Sequence, residues 1–260
     1  MTDSEKLKIN SAVVLPQLEA FVSDEVNKSG LSTGVVGLSG GLDSSVSAAI
    51  AVRALGPDNV VLVIMPHEIS SESSKEDARE FAQFLGVEPM VIPITDMTRG
   101  YPIFDDLDRV RAGNVMARMR MVVLYDLSAG HRGLVIGTSN KSEFLLGYGT
   151  LFGDMACAIN PLGDLYKTQL RQLAPALGLP ESIQTKVPSA DLWQGQTDED
   201  ELGVEYSIAD EILYRLYDEG LSTDDVVNDG FERVLVDSIR GRVESNEFKR
   251  QMPTICKISL

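Results

Sequence analysis

Cysteine, histidine and tryptophan are scarce in these 260 residues, which hold two, two and one of them. Cys157 and Cys256 cannot build a disulfide framework and read as small buried hydrophobes or free thiols, which suits a reducing compartment. No Cys or His pair drawn from these two and from His67 and His131 has a zinc-like spacing, so no zinc site is expected. Basic residues are also short. There are 23 Lys and Arg against 39 Asp and Glu, a formal net charge of −16, whereas a protein that tracks a phosphate backbone needs clustered cations. Nucleic acid is therefore not expected as a partner. The apolar runs, such as Val60 to Met65, fall far short of a bilayer span, and the opening Met1-Thr-Asp-Ser-Glu-Lys-Leu-Lys has no basic and apolar signal pattern. A soluble cytoplasmic protein is expected, with no membrane partner.

What is present is an ordinary globular balance, 43% hydrophobic and 24% charged, on a length suited to one large domain or two small ones. Residues 5–28 place Leu7, Ile9, Val13, Leu18, Phe21 and Val22 among charged neighbours, predicting one amphipathic helix or two broken near Pro16. Four short apolar runs, at residues 34–38, 59–65, 89–94 and 133–137, predict strands. Helical stretches at 44–55, 74–85 and 106–129 lie between them. Apolar strands alternating with helices predict a doubly wound α/β domain, a parallel sheet covered on both faces. Beyond Thr150 the strand signal fades, and residues 168–177, 198–217 and 231–245 read as C-terminal helices, the second opening on Asp198-x-x-Glu201, close to a capping box. No repeat or low-complexity linker interrupts the chain, which reads as a single domain over residues 1–260: an α/β core at about 30–150 and a mainly helical part at about 151–260.

The strongest local signal is Ser39-Gly-Gly-Leu-Asp-Ser44, set between the first strand and its helix. Paired glycines let backbone N–H groups approach an anion, the helix N-terminus adds positive partial charge, and the serines add hydroxyl donors. The loop lacks the Gly-Lys-Ser/Thr ending of a Walker A sequence and the G-x-G-x-x-G dinucleotide pattern. Asp43 within it would repel phosphate unless a divalent cation intervened, so the loop predicts Mg²⁺. The plainer alternative is a strand-to-helix turn with Asp43 as a capping residue.

This loop resembles the pyrophosphate loop of the N-type ATP pyrophosphatases. Further motifs follow in order: Gly137-Thr-Ser-Asn-Lys-Ser-Glu143, Leu146-Gly-Tyr-Gly-Thr150, Gly153-Asp154, Asn160-Pro-Leu-Gly-Asp-Leu-Tyr-Lys-Thr-Gln169, Pro188-Ser-Ala-Asp-Leu192 and Gln196-Thr-Asp-Glu-Asp-Glu-Leu-Gly203. The series resembles the ammonia-dependent NAD synthetase family over most of the chain. The resemblance implies an adenine nucleotide α-hydrolase-like fold and amidation of deamido-NAD with ammonia, ATP first adenylating the carboxylate. It implies that Gly37, Leu38, Ser39, Gly40, Gly41, Leu42, Asp43 and Ser44 form the ATP-phosphate loop, and that Thr138, Lys167 and Ser189 also contact ATP. It makes Asp43 and Glu143 the Mg²⁺ ligands and Arg118 a deamido-NAD contact, with Asp154 and Lys249 as further contacts. Taken singly, Glu143 also reads as a carboxylate at a helix start, Lys167 as a surface lysine and Ser189 as a turn residue.

On the predicted 106–129 helix, at about 100° per residue, Arg111, Asn114 and Arg118 share a polar stripe beside the apolar stripe of Met116, Met119 and Val123. Two departures from the family stand out: Thr150-Leu151 where many members carry Thr-Lys, and Phe248-Lys249 where many carry His-Lys. Trp193 is expected either to flank the nucleotide or to anchor its loop, the acidic run 198–201 to be a helix start, and residues 95–106 and 186–197 to be candidate lids. The motifs fill nearly all of the length, leaving no room for a glutaminase domain, so ammonia is expected from solution or a separate partner. The family implies a homodimer. Two alternatives remain: another ATP pyrophosphatase ligase, or a nucleotide-binding regulatory protein without turnover.

Overall fold

The computed structural model describes residues 5–189, 193 and 196–258. Four strands, β1 (Thr33–Gly37), β2 (Val60–Ile64), β3 (Met90–Val91) and β4 (Gly133–Val135), form one parallel sheet in the order β3-β2-β1-β4. The helices threaded through it are α1 (Ser11–Lys28), α2 (Leu42–Leu55), α3 (Glu72–Phe84), α4 (Thr95–Arg99) and α5 (Arg109–His131). Beyond the sheet follow α6 (Lys141–Leu146), α7 (Lys167–Leu173), α8 (Glu181–Gln184), α9 (Asp198–Leu202), α10 (Tyr206–Leu213), α11 (Thr223–Asn228) and α12 (Arg233–Ser245).

The doubly wound reading holds, and the period of the strands shows why. Val36, Leu62 and Ile64 point to one face and pack with buried residues of α2, α3 and α7, whereas Val35 and Val63 point to the other and pack with Met116 and Val123 of α5. A strand buried on both faces must be apolar throughout, which is what the continuous runs express. The register pairs Val36 with Leu62 and Val35 with Val135. It brings the carboxyl ends of β1 and β4 side by side, and the chain leaves these ends into the loops before α2 and α6.

Several predicted elements shift. Residues 5–28 give a short 3₁₀ turn and then a single α1, capped by Asn10; Pro16 lies inside it on the exposed face, where the missing donor is cheapest. The third strand shrinks to two residues at the sheet edge, and its Met90 and Val91 are exposed. The 106–129 helix begins instead after Asp108, whose side chain accepts from Arg111 N at 2.9 Å. The 198–217 helix is two helices, because Gly203 adopts φ +73° and ends α9. Thr197 rather than Asp198 is its cap. A single parallel bridge, Ile136 to Ile159, continues the sheet edge past Thr150, where no strand was predicted. The helices α10 to α12 enclose a second core of Tyr206, Ile212, Leu213, Val236, Ile239 and Val243, which reaches Leu146 of α6 and Tyr166 just before α7. Burying each such large side chain is worth about 1.5–3 kcal/mol.

Candidate active site

The glycine-rich loop turns sharply after β1. Leu38 N donates to Val63 O at 2.8 Å, which carries the ladder one residue past the strand. Ser39 N donates to Ser44 Oγ at 3.2 Å, Gly41 N donates to Ser39 Oγ at 3.2 Å, and the two hydroxyls lie 2.9 Å apart. The serines thus fold the loop onto itself. Gly41 is the N-cap of α2 and no side chain caps the helix, so the positive end of its dipole faces the cavity. Gly40 has φ +77°, and a Cβ there would stand 2.3 Å from the Ser74 carbonyl oxygen. Only glycine lets the loop lie this close to α3.

Opposite the loop, α6 begins with a capping box: Asn140 Oδ1 accepts from Glu143 N at 3.0 Å, and Glu143 Oε2 accepts from Asn140 N at 3.3 Å. Asn140 Nδ2 also donates to Asp43 Oδ1 at 2.9 Å, joining the two segments across adjacent strand ends. The buried Lys167, at the start of α7, places its ammonium against Asp43 Oδ2 and 3.5 Å from Glu143 Oε1. Asp43, Glu143 and Lys167, 124 residues apart at the extremes, therefore meet at one point.

The electrostatics of that point are tense. Burial pushes the Glu143 carboxyl up to about 8; the charge of Asp43 pushes the same way and Lys167 opposes it. For Lys167 burial favours the neutral amine, but the charges of Asp43 and Glu143 outweigh it and hold the ammonium on. Asp198, 3% exposed, adds a third carboxylate nearby. It accepts from Tyr148 Oη at 3.0 Å and from Tyr206 Oη at 3.4 Å, while burial raises its pKa.

Asp43, Glu143, Tyr148, Lys167 and Asp198 line a cavity of about 660 Å³. Every residue from Gly37 to Ser44 except Gly40 lines it, as do Thr138, Glu143, Asp154, Lys167, Ser189 and Lys249. Lys249 Nζ donates to Gly147 O at 2.7 Å and Gly149 O at 2.9 Å, and Asp154 Oδ1 accepts from Thr150 N at 2.8 Å. Both thus shape residues 147–154. Asp154 is open to the cavity, yet crowding by protein raises its carboxyl pKa. Arg118 does not line the cavity. It is exposed and donates to Leu151 O at 3.2 Å on the outer side, whereas Asn114 of the same stripe lines the wall and accepts from Thr150 Oγ1 at 2.7 Å. Trp193 lines the wall with the Arg109 guanidinium 5.0 Å from its ring centre. Residues 190–192 and 194–195 of the candidate lid lie outside the described residues. His67 is buried and meets Thr98 Oγ1 at 2.9 Å, as a packed residue would.

Four contributors were not singled out from sequence. Asp198 was read only as part of a helix start, which it is, but it is also buried and accepts from Tyr148 and Tyr206. Tyr148, Asn140 and Lys186 had no separate signal. Lys186 Nζ donates to Gly40 O at 3.1 Å, Ser74 Oγ at 3.1 Å and Asp77 Oδ2 at 2.7 Å, tying the loop, α3 and the lid-bearing segment together.

A parallel sheet with an uncapped helix start at its carboxyl edge, a glycine-serine turn and a carboxylate-lysine cluster beside it defines a class: α/β enzymes of the adenine nucleotide α-hydrolase type. A profile of the NAD synthase family matches residues 14–253. The NH(3)-dependent NAD(+) synthetase of Trichlorobacter lovleyi is 49% identical over 98% of this chain and 93% of its own. The structure of the Campylobacter jejuni NH3-dependent NAD synthetase, in complex with the nitrate ion, matches with a TM-score of 0.82 at 35% identity, covering 96% of this chain and all of that one. The NMN synthetase of Francisella tularensis matches with a TM-score of 0.86 at 31% identity over the same shares. The chain belongs to the NAD synthase family.

Proposed function

We propose that the protein is an ammonia-dependent NAD synthetase, converting the nicotinate carboxylate of deamido-NAD to the carboxamide while ATP is cleaved to AMP and pyrophosphate. The observation that carries this reading is the convergence of Asp43, Glu143 and Lys167 beside the open N-terminus of α2. A carboxylate is a poor electrophile. Its oxygen attacks the ATP α-phosphorus, pyrophosphate leaves, and ammonia then adds to the acyl carbon as AMP departs and a proton is lost. The chain's part is to align two anions and offset charge. In this reading the loop amides and serines receive the phosphates, Lys167 neutralises charge on them, and Thr138 and Ser189 contact the nucleotide. Asp154, Lys249 and Arg118 belong to the end of the site that takes deamido-NAD, with Arg118 acting from the rim.

Asp43 and Glu143 suit Mg²⁺. Both are oxygen donors, and around Lys167 three acidic groups meet one ammonium, so a divalent cation would favour the ionised form of Glu143 and balance the carboxylates there. Among the described residues no group of three or more His, Cys, Asp or Glu could hold a metal by itself, consistent with an ion shared with substrate phosphates. When bound, such an ion would screen the phosphate charge facing the attacking carboxylate.

A second reading concerns only the acceptor. The Francisella neighbour is described as an NMN synthetase, and Leu151 stands where many relatives carry a lysine, so the same chemistry could act on the mononucleotide acid. Incubating the protein with ATP, Mg²⁺ and ammonium, and either deamido-NAD or nicotinate mononucleotide, separates the two. AMP and NAD in equal amounts support the leading reading. Nucleotide binding without AMP release would overturn both and leave a regulatory protein. We further read the chain as a single-domain cytoplasmic homodimer; no helix among the described residues is long and apolar enough to cross a membrane.

A further inference from the structure

Asp210 has no part in the roles assigned so far, yet it is fully buried. It lies on α10, in the helical layer, and its carboxylate sits between the starts of two helices that carry site residues. Oδ1 accepts from Ser142 Oγ at 2.5 Å. Oδ2 accepts from Thr168 N at 2.9 Å and from Thr168 Oγ1 at 2.8 Å. Ser142 Oγ in turn accepts from Lys167 N at 2.9 Å. Ser142 precedes Glu143 on α6, and Thr168 follows Lys167 on α7. One carboxylate thus links, through directed bonds, the residue before Glu143 and the residue after Lys167, the two groups that flank Asp43.

The chemistry of the position calls for more than packing. Desolvating a carboxylate is costly, and an apolar side chain would fill the space without that cost. What the carboxylate adds is direction: it can accept on both oxygens, from α6 and from α7, and so sets the relation between the two helices. Because hydrogen bonds to a charged acceptor are stronger than neutral ones, small shifts of α6 against α7 are resisted where Glu143 and Lys167 must meet.

We infer that Asp210 is a positioning residue for the ATP site, holding Ser142 and Thr168 so that Glu143 and Lys167 keep their separation at the phosphate end. The inference rests on the synthetase reading above. It differs from a purely structural role in its consequence: loss of the clamp acts on ATP and leaves the deamido-NAD end, built from residues 147–154 and Lys249, unchanged.

The test compares Asp210→Asn, Ser142→Ala and Thr168→Ala with the wild-type protein. Asp210→Asn keeps an acceptor for Thr168 but turns the Ser142 partner from acceptor to donor. Thr168→Ala removes one link and Ser142→Ala two, its bond to Asp210 and the one it accepts from Lys167 N; both preserve the carboxylate, so they carry the test if Asp210→Asn does not fold. Two readouts are needed: the Kd of ATP with Mg²⁺ by calorimetry, and KM for each substrate. The expected result is a rise of about tenfold in Kd and KM for ATP, the size of one charged hydrogen bond, with KM for deamido-NAD within about twofold of wild type. Equal rises for both substrates, or an unchanged Kd for ATP in folded variants, would overturn the role. Calorimetry reads the clamp without turnover, so a wild-type protein that binds ATP but makes no amide counts against the synthetase reading alone.

Discussion

Asp43 and Glu143 occupy a position that neither could hold cheaply without the other groups around them. Each is close to Lys167, and Glu143 is held in a raised-pKa state by burial and by its neighbour's charge. Replacing either carboxyl by the amide of the same shape isolates what an ionisable oxygen donor contributes. Asp43→Asn and Glu143→Gln are each expected to lower turnover at least about tenfold, roughly 1.4 kcal/mol in the barrier, and to raise the Mg²⁺ concentration needed for half-maximal rate. A magnesium titration of steady-state rates reads both; unchanged profiles would remove these residues from the metal role. Asp43 was legible because an acid inside a phosphate loop is chemically odd. Asp198 was not, since an acid at a helix start is common, and only the packing of α9 brings it against Tyr148 and Tyr206.

At the level of elements, the loop after β1 owes its path to what α3 and the segment before the lid do to it. Gly40 needs its positive φ because the loop passes against the Ser74 carbonyl, and Lys186 then ties its carbonyl to α3. A Gly40→Ala variant meets both an unfavourable backbone region and a backbone clash. It is expected to lose about 1–3 kcal/mol of stability, seen as a lower Tm, and to lose the stabilisation that added ATP gives the wild type. Retention of the ATP-induced shift would mean the loop does not receive phosphate. Most elements could be read from hydrophobic period, but their ends could not: caps at Asn10, Asp108 and Thr197 depend on one side-chain hydrogen bond each, and Pro16 was tolerated because it fell on the solvent face.

For the whole molecule, the acidic surface and the cavity pull in opposite directions. A net charge of −16 repels anions at long range; the positive elements at the cavity are the uncapped start of α2 and Lys167, and the Lys167 charge is itself met by Asp43, Glu143 and Asp198. The exposed apolar side chains Val122, Tyr125 and Phe152 lie on α5 and the loop beside it, near Arg118 at the rim. Light scattering of the purified protein is expected to give twice the monomer mass; a monomer at micromolar concentration would count against the homodimer.

The sequence by itself determined the sheet, its parallel sense and the glycine-serine turn at its carboxyl edge, because strands buried on both faces must be apolar and paired glycines leave a helix start open. The tertiary structure alone decided which side chains share the cavity. Lys167 joins Asp43 from 124 residues away, Asp210 reaches back from the helical layer to Ser142 and Thr168, and Arg118 stays on the rim while Asn114 enters the wall. Periodicity fixes which face of an element is buried, but contacts between elements depend on how those faces pack together, and no local pattern encodes that.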